Sequence, residues 1–172
     1  MSAATADGTR DIKVISLIGV SHYLSHVYQL ALPALFPLIN RFEGISYIDL
    51  GVLTSVFFLT SGLGQTPAGF LIDKWGARPA LFGGMALLAG STAAFSLTSD
   101  YPIMLVLSFL AGLGNSVFHP ADFSILNGSV SKARIGRGFG IHGFGGVIGY
   151  ATKAVCVFAL GKLLGWQTTM LI

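Results

Sequence analysis

Charge is the scarcest property of this chain. Lys, Arg, Asp and Glu together make up 10% of its 172 residues, against about a quarter in soluble domains. Apolar residues make up 53%, more than a water-soluble fold of this size could hide, so the chain is expected in a lipid bilayer. Cysteine is nearly absent. Cys156 stands alone in an apolar run, which excludes a disulfide framework or a cysteine metal site and leaves it a small packing residue. The net charge of +3 comes from basic residues scattered over short polar segments, so there is no basic patch for nucleic acid. Nor is there a nucleophile, base and acid arrangement, a phosphate-cradling loop or a closed cysteine and histidine metal set. The glycine-rich runs do not follow strands and so are not nucleotide fingerprints. No enzymatic activity and no cofactor are expected.

What the chain does hold is long apolar segments separated by short polar ones. Residues 1–13 are polar and rich in small side chains and are expected to be a disordered cytoplasmic tail. Residues 14–39 are too long and apolar for a signal-peptide core and predict the first membrane helix. Pro33 and Pro37 are expected near or beyond its outer end, followed by an external loop over residues 41–49. Further helices are predicted at residues 50–72, 80–97, 102–126 and 138–160, with a polar, basic connection at residues 127–137. The fifth carries Gly138, Gly140, Gly143, Gly145, Gly146 and Gly149 and should therefore pack closely against other helices. Residues 166–172 look like the opening of a sixth. Ile172 is not expected to be a natural end, since a partial helix would leave backbone groups unsatisfied in lipid.

Basic residues orient the bundle. With the N-terminus inside, the cytoplasmic segments hold Arg10, Lys13, Lys74, Arg78, Lys132, Arg134 and Arg137, and the external loops hold Arg41 and Lys162. That distribution satisfies the positive-inside rule.

Chemistry is expected where polar groups enter the membrane, because a charge there is costly. All four histidines lie in predicted spans. His22, His26 and Gln29 share one face of the first helix; Asn115, His119 and Asp122 repeat that spacing on the fourth; His142, Gly146, Gly149 and Lys153 line the fifth. Three stripes on three helices predict one interior cavity. Each histidine has a plainer reading as a hydrogen-bond donor to a neighbouring carbonyl. Asp122, about one turn from the cytoplasmic surface, is expected to pair with a loop arginine such as Arg134. Lys153 is expected to face a cavity or an acidic partner rather than lipid.

Between the second and third apolar segments the chain reads Gly-Phe-Leu-Ile-Asp-Lys-Trp-Gly-Ala-Arg-Pro-Ala-Leu over residues 69–81. Gly69 allows close helix approach, Asp73 and Lys74 end the apolar run, Gly76 permits a tight reversal and Pro79 suits the next helix's first turn. This stretch resembles the cytoplasmic signature loop of the major facilitator superfamily, departing from it at Ala77, where a basic residue is usual. A narrower resemblance, to the fosmidomycin-resistance branch of drug transporters, lies in residues 112–120 (Gly-Leu-Gly-Asn-Ser-Val-Phe-His-Pro) with Ser21, His22 and Gln29. Two positions depart from related transporters. Ser108 stands where many proton-coupled members carry arginine, and the fifth helix keeps Gly145, Gly146 and Gly149 of the drug-antiporter motif without its proline.

The resemblance implies an all-α integral membrane protein, the N-terminal six-helix bundle of a major facilitator fold with its sixth helix truncated. Its first, fourth and fifth helices would border the central cavity. It implies a secondary active transporter of a small solute working by alternating access. Because histidine titrates near neutral pH, His22, His26 or His119 is expected to couple a proton to that movement. One alternative is a transporter of a transition metal such as iron, with His22 and His26 as ligands, since imidazoles at i and i+4 can share an ion. Another is a non-transporting assembly or regulatory protein made from a half-transporter. Gly69, Asp73, Lys74, Gly76 and Arg78 would form a gating loop whose charge pairs make and break. The implied partners are a small-molecule or ion substrate, the lipid bilayer and a second six-helix half, supplied by the same chain beyond residue 172 or by another subunit. The implied location is a bacterial inner membrane, or an organelle membrane derived from one.

Overall fold

A computed structural model describes the backbone of residues 3–171 and the side chains of residues 8–153 and 155–171. The described residues form helices joined by short connections: α1 (Ala3–Gln29), α2 (Ala31–Glu43), α3 (Tyr47–Trp75), α4 (Ala77–Ala94) with a 3-10 turn at Phe95–Leu97, α5 (Tyr101–Ser116), α6 (Phe118–Ser129), α7 (Ile135–Leu164) and α8 (Trp166–Met170). Among the described residues, four stretches are long and apolar enough to cross a membrane: Tyr47–Trp75, Ala77–Leu97, Tyr101–Ser129 and Ile135–Leu164. Their outward faces carry exposed Leu59, Leu63, Phe70, Phe82, Phe144 and Val155, the surface expected when the surrounding solvent is hydrocarbon. α1 is not among the four, because Ser21, His22, Ser25, His26 and Gln29 dilute its apolar character.

Two of the expected single helices are broken, each just ahead of a proline. The first breaks at Leu30, three residues before Pro33, and the fourth at Val117, three residues before Pro120. Proline has no N–H to give the carbonyl four residues back and its ring crowds that carbonyl. The carbonyls affected belong to Gln29 and Ser116. Both breaks therefore fall beside buried polar residues. Pro37 does not end α2, which runs on to Glu43 and stops at Gly44 in the left-handed conformation, φ 71°, so the external loop is shorter than expected.

The helix ends follow local chemistry. Ser46 caps α3: its hydroxyl oxygen accepts from the Asp49 amide at 3.1 Å and its hydroxyl hydrogen goes to the Asp49 carboxylate, 2.6 Å away. The Asp100 carboxylate caps α5 by accepting from the Ile103 amide at 3.1 Å. Gly76 has φ +90° and turns the chain from α3 straight into α4, the reversal expected of it. Gly69, by contrast, has open space where a Cβ would stand, so the close approach expected there does not occur among the described residues. It occurs at Gly112, whose Cβ would lie 2.5 Å from the Phe57 carbonyl oxygen, and at Gly114, 2.5 Å from the Leu88 amide nitrogen.

α7 lies along α1, while α5 is held between α3 and α4, and α6 contacts α4 and α1. One apolar cluster includes Ile15, Ile18, Ile72, Leu88, Phe118 and Leu126; a second includes Leu35, Ile39, Leu50, Leu53, Met104 and Trp166. Along α1 the buried polar residues His22, Ser25 and Gln29 separate them. The Trp166 indole donates to the Glu43 carboxylate at 3.0 Å, tying α8 to the end of α2.

Residues 3–13 of the expected disordered tail are instead the first turns of α1, and residues 1–2 lie outside the described residues. Asp11 is buried; its carboxylate accepts from the Ser131 hydroxyl at 2.6 Å and the Ser131 amide at 3.3 Å, and pairs with the Arg134 guanidinium at 3.2 Å. These contacts pin the start of α1 to the connection between α6 and α7. A polar composition did not reveal this, because the partners lie 120 residues away. The Ser131 hydroxyl bond first, then the Ser131 amide and Arg134, hold the Asp11 carboxyl below its usual range against the opposing effect of burial.

Two predictions follow from this packing. Gly145→Ala places a Cβ 2.6 Å from the Gly19 carbonyl oxygen, whereas at Gly143 nothing lies within 4 Å. Gly145→Ala should cost about 1–3 kcal/mol by overpacking and lower the melting temperature of the full-length protein in detergent. Gly143→Ala should leave it unchanged or raise it; equal effects at both sites would refute the α1–α7 contact. Because the folded Asp11 carboxyl titrates below its unfolded value, its stabilisation is present above the unfolded carboxylate pKa and is lost as pH falls through the folded one. Hydrogen-exchange protection at the start of α1, taken relative to the intrinsic exchange rate at each pH, should therefore fall in Asp11→Asn at neutral pH, and in the unsubstituted chain only under acid.

Candidate functional site: a buried histidine cluster

The site begins with the glycines of α7. A Cβ at Gly149 would lie 2.7 Å from the Tyr23 carbonyl oxygen, and one at Gly146 would lie 2.9 Å from His26 Cε1 and 3.0 Å from His22 Nε2. Glycine at these positions lets α1 press its histidine-bearing face onto the α7 backbone. Gly140 and Gly143 face open space, so the glycine richness of α7 serves this contact only in part.

All four histidines meet there. The His22 ring stacks on His142 with centroids 3.6 Å apart and planes 22° apart; it lies 4.4 Å from His26 and 4.9 Å from His119. His119 is 5.8 Å from His142 and 6.5 Å from His26. Beneath them Asp122 is fully buried, with Oδ2 3.2 Å from His142 Nε2 and 3.5 Å from His22 Nδ1. The expected pairing of Asp122 with Arg134 is therefore incorrect. Arg134 is taken by Asp11, and the kink before Pro120 accompanies an α6 whose Asp122 faces α1 and α7. The plain reading of the histidines as carbonyl donors is approached at His26, which lies near the Gly146 carbonyl without closing a full hydrogen bond to it. Both of its ring nitrogens are shielded from solvent and make no hydrogen bond, and Asp122 Oδ1 is likewise unpartnered. Buried polar atoms without partners are uncommon in folded proteins and call for an explanation.

A second polar group continues from the cluster. The Gln29 amide donates to Asn115 Oδ1 at 3.3 Å, the Asn115 amide donates to the Ser61 hydroxyl at 2.8 Å, and the Tyr150 hydroxyl donates to Gln29 Oε1 at 2.7 Å. The Tyr150 ring also sits 4.2 Å from His26. Sequence reasoning missed Ser61 and Tyr150. Tyr150 lies four residues after Gly146, the i+4 position of the α7 stripe, which was the available signal; Ser61 gave none. Phe123, 41% exposed, packs on His119 and His142 at the edge of the cluster.

Lys153 is not part of the cluster. It is buried, its ammonium lacks a partner among the described residues, and it borders a separate cavity of about 180 Å³ with Tyr23, Val27, Thr152 and Thr169. Cys156 lines the same cavity and is exposed rather than tightly packed. Asp73, Lys74 and Arg78 lie at the α3–α4 turn, and among the described residues they make no ion pair.

Two sets of side chains could hold a cation: His22, His26 and His119, and His22, Asp122 and His142. In each, one ligand atom per residue lies within 4.8 Å of the others. Burial is graded across the cluster. His22, His142 and Asp122 are inside, while His26 and His119 are half-buried.

Residues 16–172 match the family model described as Major Facilitator Superfamily. The chain is 27% identical over 165 residues to the fosmidomycin resistance protein of Escherichia coli K12, covering 94% of this chain and 40% of that protein. It is 27% identical over 124 residues to the probable L-galactonate transporter of the same organism, covering 72% and 27% respectively. It is 25% identical over 138 residues to the tetracenomycin C resistance and export protein of Streptomyces glaucescens, covering 79% and 25%. The chain thus spans well under half the length of these relatives. Apolar crossing helices and a family match over nearly the whole chain agree: this is a multi-pass membrane protein that belongs to the major facilitator superfamily.

Proposed function

We propose that this chain supplies the N-terminal half of a secondary transporter that moves a small solute across a bacterial inner membrane, or one derived from it, by alternating access, using the gradient of a coupled ion. The observation that carries this reading is the convergence of buried polar side chains from α1, α5, α6 and α7 into one interior layer, His22 through Gln29 and Asn115 through Asp122, inside a bundle whose outward faces are apolar. Polar groups at membrane depth are costly and collect where a polar solute or ion must be held. The named relatives are a resistance protein, an export protein and a transporter of a sugar acid, which supports solute movement as the shared activity. A second six-helix half completes the cavity. The turn around Gly76 carries Asp73, Lys74 and Arg78 unpaired among the described residues, free to pair with that half when its side closes.

Alternating access has a direct test in the full-length protein reconstituted in vesicles. Phe123 lies at the edge of the cluster and is partly exposed. In a Cys156→Ser background, Phe123→Cys should be labelled by a membrane-impermeant thiol reagent from one side of the bilayer at rest. Labelling should shift to the other side when an ion gradient is imposed, and a protonophore should reverse the shift if the ion is a proton. Labelling from one side only, under every gradient, would refute the proposal.

A further inference from the structure

We propose that the cargo held at this site is a divalent transition-metal ion, bound by the imidazoles of His22, His26 and His119 and oriented by Asp122. This deepens the transport reading and rests on it for the word cargo, but the binding site itself does not depend on it.

Four observations support the site. First, the three imidazoles come from helices α1 and α6, which the fold holds against each other, and their ligand atoms lie within 4.8 Å of one another. A tetrahedral ion with bonds of about 2.1 Å needs ligand atoms roughly 3.4 Å apart. Side-chain rotations of about 1 Å reach that geometry without moving a helix. Second, both nitrogens of His26 are shielded and neither makes a full hydrogen bond, although one approaches the Gly146 backbone. An ion gives one of them the partner that the protein does not supply. Third, a carboxylate lies near one ligand: Asp122 Oδ2 is 3.5 Å from His22 Nδ1, which makes no hydrogen bond in the ion-free arrangement, so a small closing shift would occupy Nδ1 and leave Nε2 for the ion. A carboxylate behind an imidazole fixes its tautomer and ring direction. His142 Nε2 holds the same Oδ2 at 3.2 Å, which steadies the carboxylate in that role. Fourth, Gly146 leaves the space in front of His22 Nε2 and His26 Cε1 clear of any side chain from α7.

The donor set decides the class of ion. Three imidazoles suit borderline ions such as Zn²⁺, Co²⁺, Ni²⁺ and Fe²⁺, whereas Mg²⁺ and Ca²⁺ require oxygen ligands. The arrangement is also open. His26 and His119 are half-buried, the His26 nitrogens themselves being shielded, and no fourth protein ligand completes the set among the described residues. Closed four-ligand sites are structural; a site with an open position leaves room for exchange, which a cargo needs.

The test uses the full-length transporter with Co²⁺ as the probe, because its visible bands report coordination. One Co²⁺ per chain is expected, and X-ray absorption of the unsubstituted protein should find three imidazole nitrogens at about 2.0–2.1 Å. Fewer than three would overturn the site without reliance on any variant. Asp122→Asn should weaken Co²⁺ binding about 10–100-fold, and His26→Gln or His119→Gln by at least as much, with melting temperature checked to exclude misfolding. Co²⁺ uptake by reconstituted vesicles that is lost in His26→Gln completes the case. Stoichiometric binding without Co²⁺ flux would overturn the cargo assignment. Absence of binding, together with gradient-driven shifts in labelling at residue 123, would overturn the metal proposal and leave the transport reading intact.

Discussion

Between α1 and α7 the two backbones meet at glycine, and the candidate site exists because of that contact. Gly19 and Tyr23 present carbonyls to the positions where Gly145 and Gly149 would otherwise carry a Cβ, and Gly146 does the same for the rings of His22 and His26. In lipid, close approach of this kind gains dispersion energy that no apolar side chain could supply by leaving water. A bulkier residue at any of the three would separate the helices. His22 would then lose its stack on His142, and Tyr150 its bond to Gln29.

The two broken helices carry the polar residues that this contact brings together. Pro33 follows the break after Gln29, and Pro120 follows the break after Ser116. A helix that leaves carbonyls unpaired in hydrocarbon is tolerated only where other groups shield or satisfy them. The polar layer provides that setting: Gln29, Asn115 and Ser61 form a hydrogen-bonded chain beside the breaks, and His26, His119 and Asp122 lie within two turns of them along the chain. The same feature that weakens each helix therefore coincides with the buried polar layer.

Electrostatically the cluster is unbalanced in one direction. A single fully buried carboxylate faces two of the four imidazoles, and one of its oxygens, Nδ1 of His22 and both nitrogens of His26 are left without a hydrogen bond. A carboxylate oxygen free in low dielectric interacts strongly with a cation, which fits a site for a metal ion. Near the start of α1 the Asp11 pairing with Ser131 and Arg134 is complete. That contrast separates the two acids: one closes a joint, and the other leaves capacity for a ligand.

Composition and spacing alone determined a great deal. The apolar lengths established a helical membrane protein, the order of residue types from Gly69 to Arg78 indicated the family that the match over residues 16–172 later showed, and the i, i+4, i+7 spacing placed the polar residues of each helix on one face. These features are legible because they depend on the period of a helix and the thickness of a bilayer, both of which act along the chain. Other features were decided only by tertiary structure. Asp122 faces His22 and His142 rather than Arg134, Asp11 is held by residues 120 and more positions away, Lys153 is excluded from the cluster, and Ser61 and Tyr150 are included in the polar network. Each of these depends on which helix lies against which, and on the rotation and depth at which they meet. Close approach at Gly112, Gly114 and Gly145, and open space at Gly69 and Gly143, set those contacts. A glycine in the sequence permits either outcome, and only the neighbouring helix selects between them.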